Sequence, residues 1–69
     1  MLSARNQFKG TVKSVKLGNV MAEIVIDIGG HELVSVITVE SANRMGLKAG
    51  AKVTAVIKST EVLVATDKP

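Results

Sequence analysis

The chain has no cysteine, tryptophan or tyrosine, and only one phenylalanine, one proline and one histidine. Without cysteine there is no disulfide staple and no thiolate metal site, and one histidine cannot build an imidazole cluster. With so few aromatic rings, the stacking platforms that hold single-stranded nucleic acids are missing, so no nucleic-acid partner is expected. No apolar run approaches the ~20 residues needed to span a bilayer. Met1 to Lys16 mixes basic and polar residues and has no apolar h-region of the kind found in signal peptides. The expectation is a cytoplasmic protein with no membrane partner.

At 69 residues there is room for one domain, taken as 1–69. A chain this short buries little of its surface and ordinarily needs a disulfide, a metal or a partner. With the first two excluded as above, association with copies of itself remains. Apolar residues make up 46% of the chain and are Val, Ile, Leu, Ala and Met, which is material for strands. Nine Lys or Arg against six Asp or Glu give a net charge of +3. That is ordinary solubilising charge or a bias toward anions, and charge alone does not choose.

Turn residues divide the sequence. Gly18-Asn19 and Gly29-Gly30 are hairpin signals because they tolerate positive φ. Gly46 to Gly50 is a longer break, Ser59-Thr60-Glu61 a short connector, and Asp67-Lys68-Pro69 a tail. Between them the β-branched runs predict five strands: Phe8 to Leu17, Val20 to Ile28, Leu33 to Thr38, Lys52 to Lys58 and Val62 to Thr66. The alternation of the first slips near Ser14, which suggests a bulge. Val39 to Met45 reads as a short helix, capped by Thr38 or Ser41 and stopped by Gly46. The fold class is therefore all-β, an OB-like five-stranded barrel with one short helix between strands 3 and 4. An SH3-like barrel or a small sandwich fits the same pattern.

The second face of these strands is too apolar for a solitary barrel. Met21, Val25, Val34 or Leu33, and Val56 would be left facing water. Patches of this kind mark subunit contacts, so a homo-oligomer is expected.

No pairing of nucleophile and base stands out, and the six carboxylates are dispersed, so the chain is not read as an enzyme. His31 follows Gly29-Gly30 in a turn, where a solvated side chain is the simplest reading. Three short segments are instead rich in hydrogen-bond donors. Ser3-Ala4-Arg5-Asn6-Gln7 gathers a hydroxyl, a guanidinium and two amides. Thr38 and Ser41 bracket the start of the helix, where backbone N–H groups favour anions, although Glu40 opposes that. Lys58-Ser59-Thr60 adds an ammonium and two hydroxyls. Taken singly, each is a polar arm, a cap or a connector.

Together they resemble a known family, the molbindins or Mop proteins, which share the TOBE module of molybdate transporters and regulators. The resemblance covers nearly the whole chain. It rests on Ser3-Ala4-Arg5-Asn6-Gln7 followed by Gly10-Thr11-Val12, and on Val36-Ile37-Thr38-Val39-Glu40-Ser41-Ala42 leading to Gly46-Leu47. Gly50 with Lys52-Val53, and Ile57-Lys58-Ser59-Thr60, complete it. The chain looks like the small single-domain members once called molybdenum-pterin-binding proteins. The resemblance implies an OB-like fold, hexamers built as trimers of dimers, and molybdate or tungstate at subunit interfaces. It implies anion contacts from Ser3, Arg5, Thr38, Ser41, Lys58 and Ser59. A second class of site near the symmetry axis would fall at Asn19, Val20 and His31.

The donor set suits such an ion. Molybdate at neutral pH is a deprotonated tetrahedral dianion that accepts hydrogen bonds and donates none, so its site needs Arg, Lys, hydroxyl and backbone N–H donors. The expected function is intracellular binding and storage or buffering of molybdate and tungstate. The competing readings are a ligand-free self-assembling β-barrel and a molybdopterin carrier. A pterin ring would want aromatic contacts, which are scarce.

Overall fold

The computed structural model describes residues 4–67. Four strands form one antiparallel sheet in the order β3-β2-β1-β4: β1 Asn6–Leu17, β2 Met21–Asp27, β3 Glu32–Thr38 and β4 Lys52–Ile57. A short helix, α1, spans Val39–Arg44 between β3 and β4. A single 3-10 turn, Ser59–Glu61, follows β4. The described chain is thus all-β with one short helix, as expected.

β1 organises the sheet because it serves two partners. Its first half pairs with β4, from Asn6 opposite Ile57 to Thr11 opposite Lys52. Its second half pairs with β2, from Thr11 opposite Asp27 to Leu17 opposite Ala22. The register slips between Val12 and Ser14, which makes Lys13 the extra residue of a β-bulge. At this point Val12 donates its N–H to the Ala51 carbonyl at 2.9 Å and accepts the Gly50 N–H at 2.8 Å. The bulge bends the strand so that it can curl one end toward each neighbour. Gly10 permits the close approach just before it. A Cβ there would lie 2.5 Å from the Asp27 carbonyl oxygen and 2.8 Å from Ile26 Cγ2.

The core lies inside this curl. Val12, Ala22, Ile24, Ile26 and Ala42 are buried, with Val15, Ile37, Leu47, Val53 and Ala55 packed against them. The inner face of β2 is formed by Ala22, Ile24 and Ile26, whereas Val20 lies in the turn and is exposed. Ala42 carries α1 onto β2 and β3. The helix ends in a Schellman arrangement. Gly46, at φ +65°, donates to the Asn43 carbonyl, and Leu47 donates to the Ala42 carbonyl.

The fifth strand is the main correction. Val62 to Thr66 joins no sheet, and Leu63 and Val64 are 94% and 89% exposed. The residues have strand composition, but a strand exists only where a neighbouring edge offers a ladder of hydrogen bonds, and among the described residues this segment belongs to no such ladder. The described sheet is therefore a half-barrel, with β3 and β4 as unpaired edges.

On the outer face, Met21, Val34, Val36 and Val56 are exposed and Val25 is half-buried. Leu33 turns inward instead, so Val34 is the one facing water. Among the described residues, no helix is long and apolar enough to cross a membrane.

Candidate functional site

The five described residues of the six predicted donors fall into two groups, toward the two ends of β1. Ser3 lies outside the described residues. Arg5 directly precedes β1 and Lys58 and Ser59 directly follow β4, so all three lie at the edge where the start of β1 pairs with the end of β4. Asn6 stands opposite Ile57, and continuing the antiparallel register by one step sets Arg5 opposite Lys58. Two like charges facing each other across an antiparallel pair are unfavourable unless something negative lies between them. Neither cation forms an ion pair among the described residues. Both side chains are exposed at this corner, where their positive charges are open to an anion.

Asn6 fixes this corner, and sequence reasoning passed over it as a site residue. Its amide Nδ2 donates to the Ile57 carbonyl at 3.3 Å and to Ser59 Oγ at 3.5 Å. The 3-10 turn carrying Ser59 is thereby tied to the start of β1. Because Ser59 Oγ accepts from Asn6, its own hydroxyl proton is free to point elsewhere. The signal was present in the Ser-Ala-Arg-Asn string, but only the β1–β4 register reveals the asparagine's target.

Thr38 and Ser41 meet at the other end. Thr38 is the helix cap, settling the choice between the two: its Oγ1 accepts the Ser41 N–H at 3.1 Å and its hydroxyl donates to Ser41 Oγ at 2.8 Å. The Val39 N–H is taken by the Val20 carbonyl at 2.7 Å. Two N–H groups of the first turn are thus already used, so the helix end offers an anion less than its sequence suggested. Ser41 still has its hydroxyl proton to give. Glu40 is drawn toward Arg44 across one helical turn, Oε1 to Nη2 at 3.6 Å, which offsets its negative charge in part.

The Thr38 end includes part of the second set as well. Asn19, Val20, Thr38, Val39, Glu40 and Asn43 line one open concavity. It forms because β3 delivers Thr38 opposite Met21, beside the β1–β2 turn. Asn43, one helical step beyond the predicted residues, adds an amide. His31 is not part of it. It lies in the β2–β3 turn, at the opposite end of β2, where its carbonyl accepts the Ile28 N–H.

Two other charged contacts stiffen the β2–β3 hairpin. The bulged Lys13 reaches across β2 to Glu32 and forms an ion pair that raises the Lys13 pKa, chiefly through that hydrogen bond. Asp27 accepts the backbone N–H groups of Gly29 and Gly30, which holds its carboxyl below the usual range. Among the described residues there is no group of His, Cys, Asp and Glu that could hold a metal cation. Both candidate corners instead suit an anion.

The two corners are separate within one chain. β1 runs 12 residues between them, roughly 36 Å along its path. Among the described residues, no hydrogen bond or ion pair joins Arg5, Lys58 or Ser59 to Thr38 or Ser41.

Comparison with known proteins identifies the family. The TOBE domain family profile matches residues 2–64. Molybdenum-pterin-binding protein 1 of Clostridium pasteurianum is 48% identical over 64 residues, which is 91% of this chain and 94% of that protein. The solved structure of a molybdate-binding protein from Sporomusa ovata superposes with a TM-score of 0.91 at 45% identity, covering 96% of this chain and 98% of the other. ModG, a cytoplasmic molybdate-binding protein solved with molybdate bound, gives a TM-score of 0.82 at 51% identity over 84% of this chain and 42% of its own. The chain belongs to the TOBE domain family, among the small molybdenum-pterin-binding proteins of the Mop type.

Proposed function

We propose that this protein binds molybdate, with tungstate as a substitute, at the interfaces of a homo-oligomer, and serves as an intracellular store or buffer of the oxyanion. It is a binding protein and not an enzyme. The whole chain, 1–69, acts as one TOBE domain, and the assembly is a hexamer arranged as a trimer of dimers.

The observation that carries this reading is the separation of the two donor corners. Each alone presents too few donors to surround a tetrahedral dianion. Arg5, Lys58 and Ser59 supply charge without an enclosing wall, and Thr38 and Ser41 supply a hydroxyl without charge. When one subunit's Arg5 corner meets another's Thr38 corner, a donor-only cavity with two cations results. Ser3, outside the described residues, is proposed as a further donor to the anion. Asn19 and Val20, beside Thr38, are the elements from which a second class of site near a symmetry axis would draw, and His31 joins only through another subunit. The exposed Met21, Val34 and Val36 supply apolar surface for the contacts. The barrel takes its fifth strand, Val62–Thr66, in the assembled state.

Native mass spectrometry with and without molybdate tests both halves of the proposal. The expected result is a hexamer that gains mass in steps of bound oxyanion. A monomer that takes up no molybdate at micromolar protein overturns it.

A further inference from the structure

We infer that the outer face of the β1–β4 ribbon is a capture surface for the oxyanion, on which Lys9 and Lys52 draw a dianion from solution toward the Arg5 and Lys58 corner. This rests on the oxyanion reading above and adds to it the route by which the ion arrives.

Charge divides the sheet in two. β1 and β4 carry Lys9, Lys13, Lys16 and Lys52 and no carboxylate, whereas β2 and β3 carry Glu23, Asp27 and Glu32 and no cation. Two of the four lysines are answered across the boundary. Lys13 forms its ion pair with Glu32, and Lys16 stands opposite Glu23 in the ladder. Asp27, opposite Thr11, is drawn into its own turn by the Gly29 and Gly30 N–H groups. Lys9 and Lys52 remain, and neither forms an ion pair among the described residues.

Strand alternation gathers these charges on one side. Val12, Val53 and Ala55 belong to the core, so Lys9 and Thr11 of β1 and Lys52 and Thr54 of β4 face outward. Lys9 stands opposite Thr54 and Lys52 opposite Thr11, which makes the two lysines diagonal neighbours, about 7–8 Å apart in the ladder. Lys52 Nζ donates to Thr11 Oγ1 at 3.0 Å, which holds its ammonium over this face. Lys9, Lys52 and Thr54 border an open concavity of about 420 Å³. Arg5 precedes Lys9 by four residues, and Lys58, extended at φ −66° and ψ 133°, follows Thr54 by four. The same alternation therefore places both on the outer side. A row of cations runs from the concavity to the corner over about 13 Å, and no acidic residue of either strand interrupts it.

A face this open to water does not store the ion, because exposed charges are screened and hold a ligand weakly. It raises the concentration of a dianion beside the corner, and that speeds association. The cations of the corner retain the ion, and those of the ribbon deliver it.

Rapid-filtration uptake of radiolabelled molybdate by the full chain tests this, comparing the parent with Lys9→Gln, Lys52→Gln and Lys48→Gln. At an ionic strength of about 0.01 M the Debye length, about 30 Å, spans the row. There Lys9→Gln and Lys52→Gln should each slow association about threefold, and the double variant about tenfold. Dissociation should keep its parental rate. At about 1 M, with a Debye length of about 3 Å, the association rates should converge. Lys48→Gln removes the same charge from the loop between α1 and β4 and should leave association nearly unchanged. Parental association rates in both ribbon variants at low salt overturn the inference. An equal slowing by Lys48→Gln also overturns it, since net charge would then be the cause. Faster dissociation with unchanged association would make the lysines part of the final site, and the inference fails again. A parent that takes up no molybdate sinks the oxyanion reading and the capture surface with it, whereas uptake that the ribbon variants match sinks the capture surface alone.

Discussion

Thr38 and Ser41 form a closed pair: the Thr38 hydroxyl donates to Ser41 Oγ at 2.8 Å while its oxygen accepts the Ser41 N–H at 3.1 Å. The pair divides the labour at this corner. Thr38 spends both of its polar functions on the helix start, and Ser41 keeps its hydroxyl proton for a ligand. Ser41→Ala should therefore weaken molybdate binding with little change in melting temperature. Thr38→Val should do the reverse first, removing the cap and destabilising the fold by about 0.5–2 kcal/mol. Paired calorimetry and thermal melts distinguish them, and equal stability losses in both variants would contradict the division.

Arg5→Ala and Lys58→Ala should each weaken molybdate binding by about 2–5 kcal/mol if the interface desolvates the ion, since truncating one partner strands the other charge. Neither side chain is in the buried core, so denaturation midpoints should hardly move. Isothermal titration at fixed ionic strength is the measurement, and unchanged affinity in both variants would remove this corner from the site.

Selectivity follows from the donor chemistry. Molybdate and tungstate should bind well, and sulfate and phosphate much more weakly. Phosphate at neutral pH carries a proton for which a set of cations, amides and hydroxyls has few acceptors. Sulfate is smaller, and donors spaced for longer metal–oxygen bonds cannot all close on it. In a competition titration, displacement of molybdate by an equal concentration of sulfate would reduce the site to a general anion hole.

Gly10→Ala should destabilise the chain by about 1–3 kcal/mol, the cost of overpacking a tight site. Its Cβ would meet the Asp27 carbonyl oxygen, which is backbone and cannot swing aside. Urea denaturation of this variant should show a lowered midpoint. Gly18→Ala, whose Cβ would approach one backbone oxygen at 3.0 Å, should cost less.

The Asp27 turn sets a direction for acid sensitivity. Its carboxyl is held below the usual range by the Gly29 and Gly30 N–H groups. A group whose pKa falls on folding contributes stability above its unfolded pKa and loses it as pH drops through the folded value. Melting temperature measured from about pH 6 down to about pH 3 should fall less steeply in Asp27→Asn than in the parent. The variant should already be less stable at neutral pH. Parallel curves would show that this turn contributes nothing to the acid transition.

What the sequence determined by itself was local. Alternation at Ala22, Ile24 and Ile26 placed the inner face of β2, the slip at Ser14 announced the bulge at Lys13, and Thr38 and Gly46 bounded the helix. Each of these depends on residues a few positions apart, and propensity, capping and positive φ act over that range. Tertiary structure alone decided what depends on register between distant strands. The two faces of β3 are both apolar, so only pairing with β2 could turn Leu33 inward and leave Val34 outside. Val62 to Thr66 has strand composition, but among the described residues it joins no sheet ladder, and composition without a ladder does not make a strand. Asn6 found its partners at this corner only when β1 met β4 across 51 positions of sequence. The donors were legible as residue types, but their sorting into two distant corners was not. That sorting is set by the strand order, which no single stretch of sequence carries.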